Sequence, residues 1–149
     1  MKKILIATHG YLADGFKSSI SLLTGGEDAI ETICAYVDES DYTARIQTFV
    51  DSLSPEDDGV IFTDIYGGSV CQKVALIAPG HPNVFHVSGC NLGLIIEVLF
   101  APGRITKESL QATIETARST MQLVDTEGAS SEAEGASSEA EGTDDDFFD

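Results

Sequence analysis

The chain has 149 residues, enough for one domain with a sizeable core, and 42% of them are hydrophobic. Its formal charge of −17 is uneven: residues 1–124 hold 15 acidic and all 8 basic residues, whereas residues 125–149 hold 10 acidic residues and no basic one. That balance argues against a nucleic-acid partner, since affinity there comes from Lys and Arg on phosphates, and makes basic protein surfaces the natural complement.

Residues 4–10, Ile-Leu-Ile-Ala-Thr-His-Gly, form a short apolar run between Lys2-Lys3 and Gly10. Such a run reads as a strand buried on both faces, with His9 at its carboxyl end. Leu12, Phe16, Ile20 and Leu23 then recur at helical spacing, and Gly25-Gly26 supplies the left-handed stop of a helix. Residues 29–37 alternate as a strand. Asp38 to Asp41 form a polar turn with N-caps for a helix over 41–53, its apolar face made by Ile46, Phe49, Val50 and Leu53.

After a loop at Pro55–Gly59, Val60-Ile61-Phe62-Thr63 is a second short buried strand, again ending in a polar residue, Asp64. Tyr66-Gly67-Gly68-Ser69 makes a turn into a helix that Pro79-Gly80 ends near Ala78. Asn83–Val87 is a fourth strand and Ser88-Gly89-Cys90-Asn91 a turn. Leu92–Phe100 is a helix, broken by Pro102-Gly103, and Thr106 caps a last helix with Leu110, Ile114, Ala117 and Met121 on its inner face. Strands alternating with helices predict one α/β domain, doubly wound, with a mostly parallel sheet flanked by helices.

The domain is expected to span 1–124, and residues 125–149 to form an acidic, low-complexity, disordered tail. Gly-Ala-Ser-Ser-Glu-Ala-Glu occurs at 128–134 and again at 135–141, a composition that cannot repay the entropy of ordering. The tail reads as a solubilising or linker segment, with Phe147-Phe148 among acids as a docking motif in the sharper reading. Cys34, Cys71 and Cys90 are widely spaced, odd in number and form no Cys-x-x-Cys, which points to a reducing compartment. Neither a signal peptide nor an apolar run of membrane-spanning length is visible, so the expected location is the cytoplasm.

The chemistry is sought at three turns that follow strand ends, because ligands of doubly wound sheets bind beyond the carboxyl ends of the strands. A neutral imidazole has one donor and one acceptor nitrogen. If Asp64 accepts from one nitrogen of His9, the other is held as an outward-facing nucleophile. Gly67-Gly68-Ser69 opens a helix, whose N-terminal amides suit a phosphate. Singly these features are ordinary: a strand-end histidine is often structural, and Asp64 alone reads as a cap. Together they suit a phosphohistidine, with no metal required.

Ala7-Thr8-His9-Gly10, Ala13-x-Gly15, Asp64-x-Tyr66-Gly67-Gly68-Ser69 and Gly89-x-Asn91 together resemble the IIA component of the mannose-family sugar phosphotransferase system, over roughly residues 2–124. The resemblance implies that His9 takes a phosphoryl group from the phosphocarrier HPr and passes it to a IIB component. It further implies that Asp64 positions His9, that Ser69 and the Gly67-Gly68 amides hold the phosphate, and that the protein is a homodimer. Thr8, Gly10 and Asn91 are further loop contributors. No cofactor is expected. Val70 and Gly93 stand where the family often has proline.

His81, in Pro79-Gly80-His81-Pro82, reads as a surface-turn residue. His86 lies in the fourth strand, and the reading of it as a metal ligand with His9 and Asp64 is disfavoured by its spacing. Cys71 is not the nucleophile of a Cys-x5-Arg loop, because position 77 is Ile, and reads as a small buried thiol. An alternative function is a regulatory phosphohistidine module like that of dihydroxyacetone kinase systems. A receiver domain is excluded because Thr8-His9 stand where its acidic cluster belongs. A nucleotide site is excluded because neither Gly-x-Gly-x-x-Gly nor Gly-x4-Gly-Lys-Ser/Thr occurs.

Overall fold

In the computed structural model, which describes residues 1–127, one compact unit spans Met1–Arg118. It contains four strands, β1 (Lys2–His9), β2 (Ile30–Ala35), β3 (Asp58–Thr63) and β4 (Val84–Ser88), all parallel and ordered β2-β1-β3-β4. Helices α1 (Leu12–Thr24), α2 (Tyr42–Asp51), α3 (Ser69–Ile77) and α4 (Leu92–Phe100) follow the four strands in turn, and α5 (Lys107–Ser119) comes last. A short 3-10 turn at Glu27–Ala29, not foreseen in the sequence, leads into β2.

The alternation along β1 explains the two layers of helices. Ile4 and Ile6 join one core with Val60 and Phe62 of β3, against Ala13 and Ile20 of α1, Ile95 of α4 and Leu110 of α5. Leu5 and Ala7 join the other with Ile61, against Ile46 and Phe49 of α2 and Val74 of α3. Each strand is thus apolar on both sides, as a doubly covered parallel sheet requires. This is the predicted doubly wound α/β architecture. Because the chain runs from β1 out to β2 and then returns to the far side of β1 with β3, the sheet has its switch point between β1 and β3.

The helix signals act where they stand in the sequence. Gly25 ends α1 at φ +68°, its N–H bonded to the Ser21 carbonyl. Asp41 caps α2 by accepting from the Thr43 amide, and Asn91 caps α4 by accepting from Leu94. At the start of α5, the Ser109 amide donates to Thr106 Oγ1 at 3.0 Å.

Three expectations shift. On α1 the inward stripe is Ala13, Phe16 and Ile20, while Leu12 and Leu23 remain 48% and 47% exposed. The rotation follows from the Ala13 amide, which donates to the buried Thr8 hydroxyl at 2.8 Å and turns Ala13 inward. Helix α2 ends at Asp51, so Leu53 packs against the core from the loop beyond it. Helix α5 ends at Ser119, which leaves Met121 off its inner face. The second unit begins at Ser119, and there the Gln122 amide group donates to the Ser119 carbonyl. The repeat at 128–141 and Phe147-Phe148 lie outside the described residues.

At the amino end of β3, buried Asp58 anchors the segment before α5. Its carboxylate accepts from Arg104 Nε at 2.9 Å and from the Ile105 amide at 2.8 Å. Burial pushes its pKa upward, but the Arg104 and Ile105 hydrogen bonds outweigh that and hold it below the ordinary carboxylate range. A depressed folded-state pKa contributes stability above the unfolded value near ~4, which is lost as pH falls through the folded value. Asp58→Ala is expected to destabilise the fold by about 2 kcal/mol at pH 7 in urea titration, with the gap to the parent narrowing below about pH 4.

Candidate functional site

The site forms at the switch point, from the ends of β1 and β3. In register Ala7 faces Thr63, so Thr8-His9 at the end of β1 and Asp64 just past β3 come side by side. The His9 backbone N–H donates to Asp64 Oδ2 at 2.9 Å, and His9 Nδ1 lies 3.0 Å from the same oxygen and 3.2 Å from Oδ1. One carboxylate therefore fixes both the strand end and the ring. The Ile65 amide also donates to Asp64, at 3.0 Å. Burial raises the Asp64 pKa, but bonds from the His9 amide, the His9 ring and the Ile65 amide bring it below its usual value. An ionised Asp64 can only accept, so in the neutral ring Nδ1 carries the proton and Nε2 keeps its lone pair.

Nε2 lies 3.2 Å from Ser69 Oγ, at the first residue of α3. The imidazole is 38% exposed and the Asp64 side chain 11%, so the acceptor nitrogen is reachable while its orienting carboxylate is sheltered. Gly10, at φ +60°, turns the chain away directly after His9, its N–H held by the Ala35 carbonyl of β2 at 2.9 Å. A side chain there would meet the cost of left-handed backbone.

The turn before α3 differs in one respect from the expected cradle. The Gly68 N–H donates to the Ile65 carbonyl at 3.0 Å and closes the turn. Gly68 is required instead for its small size: a Cβ would stand 3.2 Å from the Ile65 carbonyl oxygen and 3.6 Å from His9 Cε1. The donors without an intrahelical acceptor are those of the first turn of α3, Ser69, Val70 and Cys71, because the Gln72 N–H is the first to reach back, to Gly68. Val70 in place of proline adds one amide to that set.

Thr8 is buried and its hydroxyl is committed to α1, while the Asn91 side chain is committed to capping α4. The Ser88–Asn91 turn does reach the crevice, since Gly89 and Cys90 both donate to the Thr63 carbonyl. Burial, and then the nearby Asp64 charge, push the Cys90 thiol up to about 11, so it stays protonated. Cys71 is buried. His81 is half-buried in the turn before β4. His86 bonds through Nε2 to Thr63 Oγ1 at 2.9 Å, and burial lowers its pKa. Among the described residues no cluster of His, Cys, Asp and Glu is disposed to hold a metal.

Sequence reasoning missed Tyr36. It read residues 29–37 as strand, but β2 ends at Ala35 and Tyr36 turns back over the site. Its ring stacks on the His9 imidazole with centroids 5.5 Å apart at 24°, and its hydroxyl donates to Ser69 Oγ at 2.9 Å. The rule that singled out His9 and Asp64, a polar residue just past a strand end, would have found it.

The fold and site thus define a class: a doubly wound α/β domain whose strand-end histidine is held between a carboxylate and a hydroxyl at a helix N-terminus. The family model for the phosphotransferase system fructose IIA component, EIIA-man, matches residues 3–118. This chain belongs to that family, the mannose-type IIA components of sugar phosphotransferase systems. Membership implies phosphotransferase activity and phosphotransfer partners. A Klebsiella pneumoniae structure described as a phosphoenolpyruvate-dependent sugar phosphotransferase system permease is 31% identical, with TM-score 0.73, over 82% of this chain and 90% of its own. The mannose/sorbose-specific IIA subunit of Enterococcus faecalis shares the fold at 21% identity and TM-score 0.70, over 84% of this chain and 96% of its own. Component EIIA of Streptococcus agalactiae does so at 22% and 0.68, over 86% and 99%.

Replacing Asp64 by Ala is expected to free Nδ1 and shift the neutral His9 ring away from the Nδ1–H tautomer. Imidazole 15N chemical shifts at a pH where the ring is neutral check this; unchanged shifts would show that Asp64 does not set the tautomer.

Proposed function

We propose that the chain is a cytoplasmic phosphocarrier of sugar uptake, accepting a phosphoryl group from phospho-HPr on His9 Nε2 and passing it to a IIB component. The observation that carries this reading is the His9 imidazole, tied to Asp64 at Nδ1 and open at Nε2 beside Ser69. The Nε2 lone pair forms the bond to phosphorus as the donor's bond to phosphorus breaks, and that electron pair leaves with the donor atom. No proton has to move at His9, because Nδ1–H stays on Asp64 throughout. The ring becomes cationic on phosphorylation, and the Asp64 carboxylate offsets that charge.

Phosphoryl transfer asks mainly for in-line positioning and neutralisation of oxygen charge. Here the first-turn amides of α3 and the Ser69 hydroxyl supply the neutralisation, which suits a group that must leave again. The partial exposure of the imidazole supports access by two partners in turn. Consistent with a chain outside the bilayer, no helix among the described residues is long and apolar enough to cross a membrane.

Incubation with phospho-HPr, read by intact mass and site mapping, is expected to give one acid-labile addition on His9. His9→Ala should accept none while remaining folded, and Asp64→Ala should transfer roughly 10²–10⁴-fold more slowly. Phosphate still entering the His9→Ala variant would sink the assignment. Onward transfer to a IIB component separates an uptake carrier from a regulatory module.

The homodimer belongs to the same proposal. Strand β4 ends the sheet, and a groove beside it is lined by His86, Ser88, Leu94 and Ile114. The buried Ser88 hydroxyl in that groove has no hydrogen-bond partner. Light scattering after size exclusion is expected to give twice the chain mass, and a monomer at all concentrations would reject the dimer.

A further inference from the structure

Tyr36 is the one non-glycine residue with positive φ among the described residues, at +66°. Left-handed backbone costs free energy for a residue with a Cβ, so its persistence calls for interactions that hold it. They are present. The preceding Ala35 carbonyl is fastened to the Gly10 amide at 2.9 Å, next to His9. The Tyr36 ring stacks on the imidazole, and its hydroxyl lies 2.9 Å from Ser69 Oγ and 3.0 Å from the Tyr42 hydroxyl. The Lys73 ammonium sits 5.2 Å over the Tyr42 ring. Despite this, Tyr36 is 59% exposed, so it does not serve the core.

The hydrogen bonds have one consistent direction. Nδ1–H donates to Asp64, which makes Nε2 an acceptor. The Ser69 hydroxyl donates to Nε2, so its own oxygen is free to accept from Tyr36, and the Tyr36 oxygen accepts from Tyr42. Of the two phenols, Tyr36 is the one that faces the site, through its bond to Ser69.

Building on the reading of His9 as the phosphoryl acceptor, we infer that Tyr36 is a positioning residue of the transfer. Its ring fixes the plane of the imidazole, and its hydroxyl, by donating to Ser69 Oγ, aims the Ser69 hydroxyl at the phosphoryl oxygens once Nε2 is occupied. When the Nε2 lone pair becomes the bond to phosphorus, the Ser69 hydroxyl loses its acceptor. The oxygens arriving at that position replace it, and the Tyr42–Tyr36–Ser69 chain keeps its direction. The transfer itself is unchanged: the donor's electron pair leaves with the donor atom, and no proton leaves His9.

The test compares the parent with Tyr36→Phe, which removes only the hydroxyl, and Tyr36→Gly, which removes the ring without backbone strain. Phospho-HPr is the donor for all three. Tyr36→Phe is expected to transfer about 2- to 10-fold more slowly, the worth of one hydrogen bond, and Tyr36→Gly more slowly still. Two readouts respond to the site and not to the fold: the hydrolytic lifetime of the phosphohistidine should shorten in both variants, and the His9 Nε2 15N shift should move in unphosphorylated Tyr36→Phe. A parent that accepts phosphate on His9, with both variants matching it in rate, lifetime and shift, overturns the role of Tyr36 alone. A parent that takes no phosphoryl group onto His9 overturns this inference together with the proposed function.

Discussion

The double attachment of His9 to Asp64 is the constraint on which the site depends. A single carboxylate accepts the backbone N–H that ends β1 and also lies against Nδ1 of the same residue. Backbone and ring are therefore positioned by one group, and that group is itself held by the Ile65 amide. Hydrogen bonds to an ionised acceptor are roughly twice as strong as neutral ones, and Asp64, sheltered from solvent, is screened little. The parallel sheet makes the arrangement available. With β1 and β3 adjacent and in register, their carboxyl ends bring His9 and Asp64 within hydrogen-bond distance.

Asp64 is negative, which favours a protonated Nδ1; on the proposed reading it would also offset the charge of a phosphorylated ring, but it would do nothing to attract the incoming anion. The balancing element is the start of α3, where unsatisfied N–H groups and the helix dipole offer partial positive charge. Closing the preceding turn through Gly68 and Ile65 brings that helix end against the imidazole. Negative and positive elements thus flank the ring on opposite nitrogens, as the proposed phosphoryl transfer would require.

The turns that follow β1 and β3 carry exposed apolar side chains. Tyr11 follows the β1 turn and is 70% exposed, while Ile65 and Tyr66 follow Asp64 and are 58% and 88% exposed. These side chains come from the turns that carry the site. On the proposed reading, such side chains would offer a partner apolar contacts small enough to release.

Much of the architecture was legible because its signals are local. The buried strands, the glycine stop of α1, the Asp41 cap and the Thr106 cap all depend on side chains within a few residues of the backbone they serve. His9, Asp64 and Ser69 were also legible, since each falls at a strand or helix end and such ends converge in a doubly wound sheet. What local pattern does not carry is rotation and reach. The inward stripe of α1 turns on a bond from Ala13 to Thr8, the Gly68 amide is consumed by a carbonyl three residues earlier, and Tyr36 swings over His9 from a different strand. The first two are short-range bonds that side-chain periodicity does not record; the place of Tyr36 is decided by segments that meet only when the sheet is assembled, because ring contacts depend on separation in space and periodicity records separation along the chain.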